Sequence, residues 1–292
     1  MGGIRLLPGD PDGRLARAAG GAAPAIVRAM DFEGRAGSNG PDAPAVPLNP
    51  PLHAAWLGRR PYREAWALQK QLVDARVAGE ATDILLLLEH DAVLTLGRNG
   101  DEVHVLASRR ELARRSIEVV RVERGGEVTY HGPGQLVAYP ILRLGDRGIL
   151  IRPLVRALEE AMIETCAALG VEAFRRDREP GCWVDAGPSR APRKIGALGI
   201  RIERGVSFHG IALNIDSDLR DFELIDPCGT PGLVSTSIAD ELGRTAEPPT
   251  TERVEAAAWI FAAAFARSIG APLATTDAQA VTGEAPLVAV AG

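Results

Sequence analysis

The apolar positions of this chain alternate between two rhythms. Over residues 61–77, Ala65, Leu68, Leu72 and Val73 recur at helical spacing, with Pro61 at the first turn and Gly79 just past the end. A continuous apolar run follows at 84–88, bounded by Asp83 and Glu89, and reads as a buried strand. Residues 111–115 predict a short helix, and 117–122 and 136–141 predict strands. A helix over 153–169 places Leu154, Leu158, Met162 and Cys166 on one face, with Gly170 as its cap. Short strands are expected at 182–185, 195–202 and 206–215, the last two joined by a turn at Glu203-Arg204-Gly205. A final helix over 251–269 begins with hydroxyl and acidic residues and stops at Gly270. Long strand-rich stretches with few helices favour a single α+β domain over a regular βαβ winding.

Outside residues 51–270 the rhythm is lost. Residues 1–50 are rich in Gly, Ala, Pro, Asp and Arg and are expected to form a flexible leader, with Met30 inside it as an alternative start. Residues 271–292 repeat that character and are expected to be a loose tail.

Composition narrows the function. At 292 residues, 46% hydrophobic and 24% charged, the chain is long enough for a substantial core. Its net charge of −5 argues against nucleic acid as a partner. No apolar run approaches the roughly 20 residues that span a bilayer, and no signal sequence is evident. Three cysteines give no disulfide framework, which suits a cytoplasmic protein. No pairing of His and Cys has metal-ligand spacing, so no metal is expected.

Candidate chemistry concentrates in four segments. Cys228 follows Asp226-Pro227 and precedes Gly229; proline fixes the backbone before the thiol and glycine leaves the sulfur approachable. Cys166 and Cys182 sit in apolar settings and read as core, whereas Cys228 sits in a polar turn and is either a reactive thiol or a small buried hydrophobe. Lys194 opens a glycine-interrupted strand; it is either a solvated strand-end lysine or a cation that favours a thiolate. Lys70 is the only other lysine. Residues 124–135 set Gly125, Gly126, Gly132 and Gly134 around Thr129, Tyr130 and His131, as a turn or as a backbone cradle for a ligand. The segment matches neither a dinucleotide fingerprint nor a phosphate loop. Gly210 and Ala212, in His209-Gly-Ile-Ala-Leu-Asn214, keep a second strand shallow.

Together these segments resemble the octanoyltransferases of lipoate biosynthesis, the lipoyl(octanoyl) transferase family. The matching stretches are Arg124-Gly-Gly-Glu-Val-Thr-Tyr-His-Gly-Pro-Gly-Gln135 with Tyr139-Pro140, Lys194-Ile-Gly-Ala-Leu-Gly-Ile-Arg201, His209 to Asn214 and Pro227-Cys-Gly229. Glu89-His90 and Gly181-Cys-Trp-Val184 add to them, and the resemblance runs from about Trp56 to Ile269. It implies a single mixed-sheet domain like the catalytic domain of biotin protein ligases and lipoate ligases, with a smaller second sheet and flanking helices. It implies transfer of an octanoyl group from octanoyl-acyl carrier protein to a lysine of lipoyl domains, in 2-oxo acid dehydrogenase complexes and the glycine-cleavage H protein, without a cofactor. Cys228 would carry the acyl thioester and Lys194 would lower its pKa. Substrate contacts would come from Arg124, Gly125, Gly126, Glu127, Val128, Thr129, Tyr130 and His131, from Ala197, Leu198 and Gly199, and from Gly210, Ile211 and Ala212. Leu198 and Ile211 are the expected walls of an apolar slot for the acyl chain. An ATP-dependent lipoate ligase, or a binding module without chemistry, are the alternatives.

Overall fold

The computed structural model describes residues 50–187, 190–244 and 249–283. The first half runs β1 (Leu52–Arg60), α1 (Tyr62–Ala78), β2 (Ile84–His90), β3 (Val93–Leu96), α2 (Arg109–Arg114), β4 (Glu118–Arg121), β5 (Val128–His131) and β6 (Gln135–Ile141). The second half runs α3 (Ile151–Ala168), β7 (Phe174–Arg176), β8 (Glu179–Val184), β9 (Arg193–Glu203), β10 (Val206–Asn214), α4 (Ile238–Glu241), α5 (Thr251–Ser268), β11 (Leu273–Thr275) and α6 (Ala278–Thr282). An eight-stranded sheet has the order β11-β1-β2-β6-β10-β9-β8-β7, and a three-stranded sheet the order β4-β3-β5. Both are mixed: β1 pairs in parallel with β11 and β2, and β3 in parallel with β4, while the other pairs are antiparallel. The α+β expectation of a large mixed sheet with a smaller one is therefore met.

Strand β2 is buried along its whole length because both faces of the large sheet are covered. On one face, α3 and α5 bury Leu154, Leu158, Met162, Phe261 and Phe265 against Leu85, Leu87, Leu136 and Leu213. On the other, α1 and α6 cover Leu86, Leu88, Val137 and Phe208. Each such side chain contributes about 1.5–3 kcal/mol on burial. The β9–β10 turn falls at Arg204 and Gly205, whose φ values of 50° and 83° match a two-residue hairpin that follows the strand twist. No helix among the described residues is long and apolar enough to cross a membrane.

Two expectations change. Residues 271–283 are not a loose tail. Leu273 pairs with Leu52, Thr276 N–H donates to the Ala54 carbonyl at 2.8 Å, and Val281 of α6 is fully buried. A three-residue strand is too short to declare itself by alternation, and it forms because the edge of β1 offers it a ladder. The domain thus extends at least to Gly283, and the remainder of the tail, like the leader over residues 1–49, lies outside the described residues. Second, β1, β3 and β5 emerge where no strand was expected. β5 lies inside the glycine-rich segment, where its four residues are flanked by turns that mask them.

Candidate active site

Cys228 sits in a single 3-10 turn, Pro227–Gly229, and adopts a left-handed conformation at φ 59°, ψ 22°. A non-glycine residue held there costs about 1–2 kcal/mol, so its surroundings must impose it. Three contacts do so. Asp226 N–H donates to the His104 carbonyl at 2.8 Å, and its carboxylate lies 3.2 Å from His104 Nδ1. Glu127 packs its side chain across Gly229. The thiol remains partly exposed, whereas Cys166 and Cys182 are fully buried with their sulfurs 4.0 Å apart.

Lys194 is brought to this thiol by the sheet. Its N–H donates to the Val234 carbonyl and its carbonyl accepts from Thr236, both at 2.9 Å, which locks the strand to the segment following the cysteine turn. Its Nζ donates to Cys228 Sγ at 3.3 Å and lies 4.8 Å from the centroid of the Trp183 ring. The stem runs over Gly181. At φ 137° that residue occupies a region L side chains rarely adopt, and an added Cβ would fall 2.8 Å from Lys194 Cε and 2.5 Å from the Gly196 carbonyl. The position is fixed from behind by Glu159, a buried carboxylate on α3 that accepts the Gly181 N–H at 3.2 Å.

A cleft of about 350 Å³ opens beside the thiol–ammonium pair. It exists because β8 pairs with β9 only at residues 193–196. Pro180 cannot donate to a ladder, so β9 is left unpaired on that side until residue 200. There the Gly125 N–H donates to the Ile200 carbonyl at 3.1 Å, closing the far side with the glycine segment. Arg124 is buried and turns inward: its guanidinium donates to the carbonyls of Thr95, Gly125 and Glu127 at 2.7, 3.0 and 2.9 Å. It therefore holds the cradle in shape. The floor is the β9–β10 hairpin, kinked at His209, whose φ is 53°. Gly210 follows the kink and approaches β6 so closely that a Cβ would fall 1.9 Å from the Ala138 carbonyl.

Behind the cleft lies a buried polar network. His90 Nδ1 faces the Arg60 carbonyl at 2.9 Å, which can only accept, so Nε2 accepts from Tyr139 Oη at 2.7 Å. The Gln135 amide donates to the Tyr130 carbonyl and to Asn214, so its oxygen accepts from His131 Nδ1 at 2.7 Å. Burial pushes the His90 pKa down to about 4, against the pull of the Arg60 carbonyl. Burial, then the His90 and Arg124 charges, puts His131 well below the usual imidazole range. Both rings are neutral at pH 7. Glu123 accepts from Trp66 Nε1 at 3.0 Å, and despite burial its pKa is held at about 2 by His209 and Trp66.

Comparison with known proteins gives this arrangement a family. The model of the lipoyl protein ligase A/B catalytic domain matches residues 61–259. The chain belongs to that family. Within it, the chain is 49% identical over 207 residues to an octanoyltransferase of Acidobacterium capsulatum, covering 68% of this chain and 83% of the relative. It is 41% identical over 239 residues to an octanoyltransferase of Paraburkholderia xenovorans, covering 80% and 94%. The fold is similar to a bipartite lipoate protein ligase of Thermoplasma acidophilum, with TM-score 0.55 at 15% identity over 80% of this chain and 91% of that one. It is also similar to a lipoate-bound LipL1 of P. falciparum, with TM-score 0.57 at 12% identity over 80% and 68%.

Most of the residues expected from the resemblance to octanoyltransferases converge on the cleft: Cys228, Lys194, Arg124, Gly125, Gly126, Glu127, Val128, Thr129, His131, Ala197, Leu198, Gly199, Gly210, Ile211 and Ala212 all line it. Tyr130 does not. As the next residue along β5, it points to the opposite face, packs on Phe222 and donates to Asp221 at 2.7 Å. Four lining residues were not expected: Tyr62, Tyr139, Pro180 and Ile200; His209 also lines the cleft and opens the shallow strand segment already singled out from the sequence. His209 and Tyr139 stand in the matched motifs. Tyr62 carries no sequence signal, being one aromatic residue at the start of a helix.

Proposed function

We propose that this chain transfers an octanoyl group from an acyl carrier protein to the acceptor lysine of a lipoyl domain, through a thioester on Cys228. The observation that carries the reading is the 3.3 Å contact from Lys194 Nζ to Cys228 Sγ, at the mouth of a cleft walled by glycine-rich backbone. An ammonium at that distance stabilises a thiolate. The thiolate attacks the donor's thioester carbonyl, the C–S bond to the carrier breaks, and the departing sulfur takes a proton from Lys194. In the second half the uncharged Lys194 accepts a proton from the acceptor amine as that amine attacks the acyl group, and the Cys228 thiolate is released. Charges and protons balance over the cycle, and no nucleotide is needed. Covalent catalysis lets two bulky carriers visit one cysteine in turn. The names of the relatives support octanoyl transfer, and the lipoyl-domain acceptor accords with the Thermoplasma ligase, which is described with its E2 lipoyl domain. Three free cysteines fit a reducing cytoplasm.

Intact mass after mixing with octanoyl-acyl carrier protein, in the absence of ATP, tests this. A hydroxylamine-labile octanoyl adduct that is absent in Cys228→Ser is expected. An intact donor with no adduct would turn the reading toward an ATP-dependent ligase or a binding module.

A further inference from the structure

The end of the cleft remote from Cys228 is unlike an end built to receive a methyl group. Ala197 and Ala212, paired across the hairpin, lie beside the thiol. His209, paired with Ile200, lies three residues further along β10. At ~3.3 Å per residue that separation is about 10 Å, comparable to the reach of an extended chain of eight carbons. Along this length the floor is Gly199, Leu198, Gly210 and Ile211. It then meets Tyr62 and His209. His209 is 1% exposed and lines the cleft, yet neither ring nitrogen has a hydrogen-bond partner among the described residues. Its Nε2 lies 3.8 Å from Glu123 Oε1, too long for a direct bond and close to a length that water bridges. Tyr62, 4% exposed, is stacked on His131 with ring centroids 5.9 Å apart.

We propose that Tyr62, His209 and Glu123 form a polar end-stop that sets the length of the acyl chain accepted. The inference rests on the octanoyl-transfer reading above. Chains up to about eight carbons gain apolar contact with every added methylene. Beyond that point a methylene enters among polar atoms and takes the place of whatever hydrogen-bonds to the buried His209 ring, leaving it unpaired beside the Glu123 carboxylate, which keeps its bond from Trp66 Nε1. Such an unpaired buried imidazole costs more than a methylene returns. Length is limited by chemistry at the end of the slot rather than by a wall alone. An apolar wall could yield by rotamer adjustment; a polar one continues to oppose the chain.

Calorimetric binding of the straight-chain acids from hexanoate to dodecanoate to the full chain provides the test. Affinity is expected to rise roughly fourfold per methylene up to octanoate, then level off or fall. In Tyr62→Phe, which keeps the ring and its stacking, and in Glu123→Gln, which removes the charge, the decanoate-to-octanoate affinity ratio should increase about threefold or more. A rise that continues to dodecanoate in the parent chain overturns the proposal. So does a ratio that is the same in parent and both variants, or a failure of any acid to bind. The carrier-dependent adduct on Cys228 is a separate readout, so loss of the end-stop and loss of the transfer chemistry are told apart.

Discussion

Acidification should loosen this fold through its buried histidines before its carboxylates respond. His90 has no exposure, donates to the Arg60 carbonyl and accepts from Tyr139, and burial depresses its pKa from 6.5 to about 4. A base with a depressed folded pKa contributes its full stability above the unfolded value and loses it as pH falls. The window is therefore about pH 6.5 down to 4. At pH 5.5 the unfolded chain has bound most of a proton at this site and the fold almost none, a cost of about 1.4 kcal/mol. His131, which burial also holds well below the usual imidazole range and which is in ring contact with His90 at 5.7 Å, acts in the same direction. For His90 alone the cost is a fall in Tm of roughly 3–6 °C for a domain of this size. Thermal and urea unfolding at pH 7.5 and 5.5 would measure it. The decisive comparison is His90→Gln, which lowers stability at pH 7.5 but should reduce the pH 7.5-to-5.5 difference by about 1.4 kcal/mol. If the variant and the parent lose equal stability between those pH values, the burial argument is wrong.

Two further perturbations address the cysteine. Lys194→Ala should slow iodoacetamide alkylation of Cys228 at pH 7 by ~10-fold, because the thiolate loses the cation that stabilises it; Lys194→Arg should retain much of the alkylation rate yet form amide slowly, since guanidinium does not give up its proton. An alkylation rate in Lys194→Ala equal to the parent's would remove Lys194 from that role. Gly181→Ala places a Cβ 2.8 Å from Lys194 Cε at a backbone φ of 137°, and should cost about 1–3 kcal/mol in unfolding assays. It should also slow alkylation as Lys194→Ala does; normal reactivity would mean the lysine stem does not depend on the space over Gly181.

By itself the sequence determined the elements whose pattern is long enough to be unambiguous. The faces of α1, α3 and α5 and the run at Ile84–His90 follow from periodicity over several turns or from unbroken hydrophobicity, which local steric and solvation preferences suffice to impose. The chemistry was legible where a reactive residue sat in a setting that contradicted a packing role. Cys228 between proline and glycine stood apart from Cys166 and Cys182, both of which are core. Tertiary structure alone decided what depends on partners remote in the chain. Strands of three or four residues such as β5 and β11 hold because a neighbouring edge hydrogen-bonds them, and no local pattern encodes that neighbour. The same holds for the side to which a residue points: Tyr130 lies within the glycine motif, but period-two alternation on β5 turns it toward Phe222 and Asp221 while Thr129 and His131 face the cleft. Tyr62 and His209 line one cleft although more than one hundred residues of chain separate them, and nothing in the vicinity of Tyr62 marks it for that place. The thiol–ammonium contact itself needs the chain to return on itself between Lys194 and Cys228, 34 positions apart. Proximity in the fold is a product of sheet register, and register is fixed only when the whole core packs.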